Sequence, residues 1–278
     1  MNTSDLNALL QRAATMERVV LASDFDGTLA GFELDPMAVR PLPEAMAALR
    51  QAAAVPDTTV ALVSGRDLPT LRLLSGLHED EPIVLIGSHG AETSLDGIDP
   101  TMGGPSELTA DQVELLEAIE TALGEICRRF PGAWIESKVA ARALHTRPLS
   151  AADSDAALAA AHELAATQFP QVTPMNGKFV VELPVLEASK GLALSALVAA
   201  RQANACIYFG DDVTDEKAFA VLDPSRGDVS VKVGEGDTAA MARVPGIEEV
   251  ARALTDFARW RAAHQSTTND LANHSAQD

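Results

Sequence analysis

With 278 residues, 47% of them hydrophobic but only 4% aromatic, the chain is long enough for one large or two modest cores built from Ala, Leu and Val. Its 21 Lys and Arg against 40 Asp and Glu leave a formal charge of −19, which argues against a nucleic-acid surface, because phosphate-backbone binding needs clustered cations. No run approaches the roughly 18 apolar residues of a spanning helix, and the opening MNTSDLNALLQRAAT lacks a cationic, apolar signal pattern, so no membrane partner and a cytoplasmic location are expected.

The first predicted element is the β-type run VVLAS (19–23), which breaks at once into Asp24, Phe25, Asp26, Gly27 and Thr28. A helix from Pro43 to Ala54 leads to a second run, TTVALVS (58–64), closed by Ser64, Gly65 and Arg66. A short helix from Leu68 to Leu74 precedes a third run, PIVLIG (82–87). The grammar then changes to a helix (106–130), two short strands (AWIESK and ARALHTR), a helix (151–167) and two more strands (QVTPM and KFVVELP). Asn176-Gly177 reads as the turn of the last pair, and short connections of this kind predict antiparallel hairpins. Beyond it come a helix from Lys190 to Ala203, the run ACIYFG (205–210), a helix from Thr214 to Leu222 and the run VSVKVG (229–234). The polar, aperiodic stretch after about His264 is predicted to be disordered.

Runs apolar on both faces suit parallel strands covered by helices on two sides, so the outer segments predict an α/β, Rossmann-like doubly wound sheet. The αββαββ middle predicts an inserted α+β domain, a small antiparallel sheet with two helices on one face. The expected boundaries are 1–105 and 186–265 for the core, 106–185 for the insert and 266–278 for a disordered tail, with hinges near Gly103-Gly104-Pro105 and Pro184 to Glu187. Cys127 and Cys206 have no metal-ligand spacing and are expected to be free thiols.

Asp24 and Asp26 flank Phe25, so in extended backbone both acids share a face while Phe25 turns to the core. Two carboxylates repel each other and a phosphate; one charge pair about 3.5 Å apart at an effective dielectric of ~20 costs roughly 5 kcal/mol. A hard cation, magnesium, is therefore implied if the pair handles phosphate. Taken alone, an Asp-x-Asp pair suits an Asx turn, Ser-Gly-Arg a strand-to-helix turn, Lys190 a solvated cation, and the acids after Gly210 a helix start. Together they form a series of strand-end and helix-start groups, in the order acid pair, hydroxyl, lysine, acid cluster. The charged residues of the insert, Glu136, Lys138, His145, Arg147, Lys178 and Glu182, lie on or beside short strands and face either solvent or ligand.

DFDGT (24–28), SGR (64–66), Lys190 and GDDVTDE (210–216), in that order, resemble the four motifs of the haloacid dehalogenase (HAD) superfamily of phosphatases. Within it the chain resembles the trehalose-6-phosphate phosphatase family through GSHGAE (87–92), ESK (136–138), LHTR (144–147), GKFVVE (177–182), SKG (189–191) and GDDVTDEKAF (210–219), over roughly residues 18 to 262. One departure is Thr146, where that family often carries an aromatic. The resemblance implies a HAD-like core with a substrate-choosing cap. It makes Asp24 the nucleophile, forming an aspartyl-phosphate, and Asp26 the general acid and base. Magnesium would be held by Asp24, the Asp26 carbonyl and Asp211, with Asp215 acting through water. Ser64 and Lys190 would bind the transferring phosphoryl group, aided by Gly27, Thr28, Gly65 and Arg66; His89 and the six cap residues above would contact the sugar. The substrate implied is a small sugar phosphate and the expected state a monomer. Sucrose-phosphate or mannosyl-3-phosphoglycerate phosphatases and a phosphomutase remain alternatives.

Overall fold

The computed structural model describes residues 3–95, 108–185 and 189–275, with side chains described over 5–267. The chain divides into two compact units, residues 1–103 with 189–278, and residues 104–188.

The first unit is built on a seven-stranded sheet. Its strands are β1 (Val19–Ser23), β2 (Thr58–Val63), β3 (Ile83–Gly87), β4 (Glu92–Thr93), β9 (Ala205–Gly210), β10 (Val229–Val233) and β11 (Ala242–Val244), in the order β11-β10-β9-β1-β2-β3-β4. All pairings are parallel except β3 with β4. The parallel strands follow from full burial: β1, β3 and β10 are buried at every position. Side chains alternate between two layers. Leu21, Leu62 and Phe209 pack under α1 (Thr3–Ala14), α2 (Pro43–Ala53), α3 (Leu68–Ser75) and α8 (Ile247–Ser275), whereas Val20, Ala61 and Tyr208 pack under α6 (Lys190–Ala200) and α7 (Val213–Phe219). The strand order reverses at β1, which pairs with β2 on one side and β9 on the other. The carboxyl end of such a switch strand opens into a crevice, which is where open α/β sheets place ligands.

The second unit comprises α4 (Ala110–Arg129), β5 (Trp134–Ser137), β6 (Ala141–His145), α5 (Ala151–Gln168), β7 (Met175–Gly177) and β8 (Val180–Pro184). Its antiparallel sheet has the order β5-β6-β8-β7. Leu144, Val181 and Leu183 on one sheet face pack against Ile119, Leu123 and Ile126 of α4 and Ala157, Ala161 and Ala165 of α5. Both helices begin on side-chain caps: Thr109 and Gln112 form a reciprocal capping box, and Ser150 accepts from the Asp153 amide.

Several expectations need correction. Asn176 and Gly177 lie in strand register with Val181 and Val180, and the two-residue loop is Lys178-Phe179, with Phe179 at φ 64°. The hydrophobic alternation of Val181 and Leu183 sets the register here and overrides the turn preference of Asn-Gly. Phe179 tolerates the left-handed backbone because its carbonyl accepts from both the Thr146 amide (2.9 Å) and the Thr146 hydroxyl (3.2 Å). The stretch after His264, expected to be disordered, continues α8 to Ser275. It contains neither Pro nor Gly, so a helix already nucleated by its packed first turns propagates readily. Helices α1 and α8 were not anticipated from the sequence. The expected hinge at 103–105, the helix start at 106–107 and residues 186–187 lie outside the described residues.

Candidate active site

The carboxyl ends of β1 and β9 bring three carboxylates and one lysine together. Asp24 follows β1 directly, Lys190 opens α6 after its cap Ser189, and Asp211 and Asp215 flank the start of α7. The Lys190 ammonium donates to Asp24 Oδ1 and Asp215 Oδ1, each at 2.8 Å, and all three side chains are buried. Oxygens of Asp24, Asp211 and Asp215 lie within 4.8 Å of one another. Burial pushes the Asp24 carboxyl well above the usual carboxylate range; Lys190 counters this, while Asp215 and Asp211 add to it. Asp211 is raised as well, chiefly by burial. Burial by itself would lower the Lys190 ammonium, but Asp24 and Asp215 outweigh it and hold Lys190 above the ordinary lysine value.

This charge balance is a test of the implied cation. Lys190 offsets one of three carboxylates, and the cluster's donors are all hard oxygens, the chemistry that suits magnesium. Asp215 is already saturated: Oδ1 accepts from Lys190 and from the Tyr208 hydroxyl (2.7 Å), and Oδ2 from the amides of Asp211 and Asp212 (both 2.9 Å). Asp24 and Asp211 therefore fit a cation best, and Asp215 fits the task of fixing Lys190 and the 211–212 turn.

Asp26 has a different partner. Arg66 grips it bidentately, Nε to Oδ2 at 2.7 Å and a terminal nitrogen to Oδ1 at 2.6 Å. The two acids of the DFDGT segment are thus held by two different cations. Gly27 has φ 77°, and a Cβ there would lie 2.0 Å from Asp211 Oδ2. Its amide donates to the Ala30 carbonyl (2.8 Å). Thr28 is buried with its hydroxyl 3.5 Å from Asp211 Oδ1.

Ser64 is buried at the end of β2, its hydroxyl accepting from the Arg66 amide (3.1 Å). The loop after β3 braces this turn. The Ser88 amide donates to the Arg66 carbonyl (2.7 Å) and the His89 amide to the Ser64 carbonyl (2.9 Å), with both residues at positive φ. The His89 ring covers Gly65 so closely that a Cβ there would come within 2.5 Å of it. Glu92 fastens the other end of the loop, accepting from the Ser88 hydroxyl and from the Leu68 amide. Backbone strain of this kind persists only where surrounding bonds over-determine it.

In the second unit, the sheet face turned away from α4 and α5 carries Glu136, His145 and Glu182, with Lys138 just beyond the end of β5. Lys138 donates to Glu182 Oε2 (2.5 Å), and His145 Nε2 lies 2.7 Å from Glu136 Oε2. Arg147 and Lys178 are exposed near the β7–β8 loop, Arg147 lying 6.0 Å from the Phe179 ring centroid. Thr146, where an aromatic was the family expectation, is buried and bonded to Ser154 (2.7 Å), so it serves the helix side of the sheet.

Three residues were missed by the sequence reading. Tyr208, the chain's single tyrosine, caps Asp215; Lys232, a lone cation inside the buried run VSVKV, donates to the Asp211 carbonyl; and Trp134 stacks on His145. A polar group in an otherwise apolar buried strand was the available signal for the first two, since it needs a partner. Period-two spacing with Glu136 was the signal for Trp134.

Comparison with known proteins shows the family to which the chain is similar. The family model for trehalose-phosphatase matches residues 22–244. A trehalose-6-phosphate phosphatase of Escherichia coli (strain K12) is 33% identical over 231 residues, 82% of each chain. A trehalose-phosphate phosphatase of Mycobacterium ulcerans is 34% identical over 260 residues, 91% of this chain, which spans 64% of that relative's length. The C-terminal domain of Candida albicans trehalose-6-phosphate phosphatase superposes with a TM-score of 0.74 at 22% identity, over 91% of this chain and 96% of that one. A haloacid dehalogenase-like hydrolase from Bacteroides thetaiotaomicron superposes with a TM-score of 0.60 at 15% identity, over 85% and 98%, which shows the HAD-like fold. Buried aspartates and a lysine at the switch strand of such a sheet, in a chain that keeps these similarities over most of its length, place it in the trehalose-phosphatase family of phosphoric monoester hydrolases.

Proposed function

We propose that the chain hydrolyses trehalose 6-phosphate to trehalose and phosphate, with magnesium, through a phosphoaspartate on Asp24. The observation that carries this reading is the buried Asp24–Lys190–Asp215 arrangement with Asp211 beside it at the carboxyl edge of the sheet. Asp24 and Asp211 would hold the ion, whose contribution is positive charge that offsets repulsion between carboxylates and the phosphoryl group. Lys190 keeps Asp24 oriented and offers the same ammonium to the phosphoryl oxygens. An Asp24 oxygen bonds to phosphorus as the bond from phosphorus to the sugar oxygen breaks. That oxygen takes the proton of Asp26. Asp26 then takes a proton from water, whose oxygen bonds to phosphorus and displaces Asp24 as the leaving carboxylate.

For Asp26 to carry a proton, the bidentate bond from Arg66 must loosen. An incoming phosphoryl dianion gives Arg66 a second planar-fork partner, so substrate arrival itself frees Asp26. Ser64 lies in the same turn and adds a hydroxyl to this cradle. The polar face of the second unit, with Glu136, Lys138, His145 and Glu182, reads the sugar hydroxyls, a task for which paired charged donors and acceptors are suited.

Phosphate release from trehalose 6-phosphate, sucrose 6-phosphate, mannosyl-3-phosphoglycerate and p-nitrophenyl phosphate, each with and without magnesium, tests the assignment. Magnesium-dependent preference for trehalose 6-phosphate is expected; preference for another ester would reassign the substrate, and dependence on a bisphosphorylated activator would indicate a mutase. Asp24→Asn should abolish release while the circular dichroism spectrum stays native. Retained turnover in that variant removes Asp24 as nucleophile.

A further inference from the structure

We infer that Trp134 is a stacking platform for a pyranose ring, and so a specificity-determining residue of the second unit; this rests on the sugar-phosphate reading above. Trp134 is 49% exposed on the sheet face that bears Glu136, the face turned away from α4 and α5. It stands directly across the β5–β6 register from His145, and the two rings are stacked, with centroids 4.2 Å apart and planes within 7°. The His145 ring is fixed in turn by its 2.7 Å bond to Glu136.

An isolated exposed tryptophan needs no explanation. Here one indole face is covered by an imidazole whose angle a carboxylate sets, while the residue as a whole keeps 49% of its surface exposed. A rigid aromatic face beside Glu136, with Lys138 and Glu182 close in sequence and register, matches the two-sided character of a pyranose. The sugar's polarised C–H groups meet the negative face of the ring, and its hydroxyls meet charged acceptors and donors. The indole is oriented before any ligand arrives, which reduces the entropy lost on binding. Trp134 therefore sorts substrates by the presence of a ring of the right shape, while Glu136 sorts them by hydroxyl pattern.

The chain has two tryptophans, and the other, Trp260, packs against the core of the first unit. In a Trp260→Phe background the full chain reports on Trp134 alone. Titration with trehalose, which carries no phosphate, should change its emission saturably, whereas sorbitol, an acyclic polyol, should not; the absence of a trehalose response overturns the inference. In kinetics, Trp134→Ala should raise KM for trehalose 6-phosphate about tenfold, equivalent to ~1.4 kcal/mol and within the range of aromatic contacts. Its loss on p-nitrophenyl phosphate should be much smaller, and Trp134→Phe should recover most of the affinity. Equal losses on both esters, or an unchanged KM for the sugar phosphate, would show the ring to be structural. Should trehalose 6-phosphate prove not to be a substrate, the fluorescence titration still decides the platform separately from that reading.

Discussion

Gly27 illustrates how narrow the site is at the scale of one residue. Its φ of 77° and the 2.0 Å that would separate an added Cβ from Asp211 Oδ2 mean that alanine there must displace the acid. A displacement of about 1 Å near reacting atoms commonly reduces rate ~10²-fold, and overpacking costs about 1–3 kcal/mol. Gly27→Ala is therefore expected to lose about two orders of magnitude in phosphate release and several degrees in melting temperature, measured by activity and thermal scans on the same preparation. The acid pair itself was legible in the sequence, because a strand running into Asp-Phe-Asp-Gly-Thr is a local pattern. Its division of partners was not: Lys190 reaches Asp24 from 166 residues away and Arg66 reaches Asp26 from 40. Nor was the saturation of Asp215 legible, since it depends on Tyr208 in one strand and on the turn amides after it.

Among the elements, α8 carries a load that its composition hides. Arg261 is fully buried and donates to the Thr58 hydroxyl (2.9 Å) and to the carbonyls of Ala14, Met16, Glu17 and Asp57. It thereby ties the end of α1 and the entries of β1 and β2 to one side chain. Replacement by Met keeps the apolar stem but leaves those acceptors buried without a donor, at about 1–3 kcal/mol for each group that water does not reach. Arg261→Met should lower the melting temperature by several degrees, with a ΔΔG of about 3 kcal/mol, while the remaining folded protein keeps its kcat. A fall in kcat at unchanged melting temperature would show that α8 acts on the site. An arginine at a core position interrupts the apolar spacing of Val250, Leu254, Phe257 and Ala258, which is why this helix was harder to read than the strands. The β7–β8 loop failed for a related reason, because long-range sheet register outweighed a local turn preference.

For the molecule as a whole, charge and the division into units decide behaviour. The acid cluster is under-compensated by its lysine, so a divalent cation that binds only the folded state should stabilise it by RT ln(1 + [L]/Kd), about 2.7 kcal/mol at a hundredfold excess over Kd. Magnesium is expected to raise the melting temperature, EDTA to reverse this, and Asp211→Asn to abolish most of the shift; an equal shift in that variant would place the ion elsewhere. Glu136→Ala, in the second unit, should cut turnover of trehalose 6-phosphate far more than that of p-nitrophenyl phosphate, and equal losses would make this residue structural. By itself the sequence determined the α/β alternation, the antiparallel character of the middle segment, and the order of acid pair, hydroxyl, lysine and acid cluster. These are written in short-range periodicity and in what ends each strand, which neighbouring residues suffice to encode. Only the tertiary structure decided which charge pairs with which, that Asp215 is saturated, and that Trp134 is set on the polar face by His145. Those facts arise where β1, β2, β9 and the antiparallel sheet bring distant residues within hydrogen-bonding or ring-stacking distance, and no local pattern carries that information.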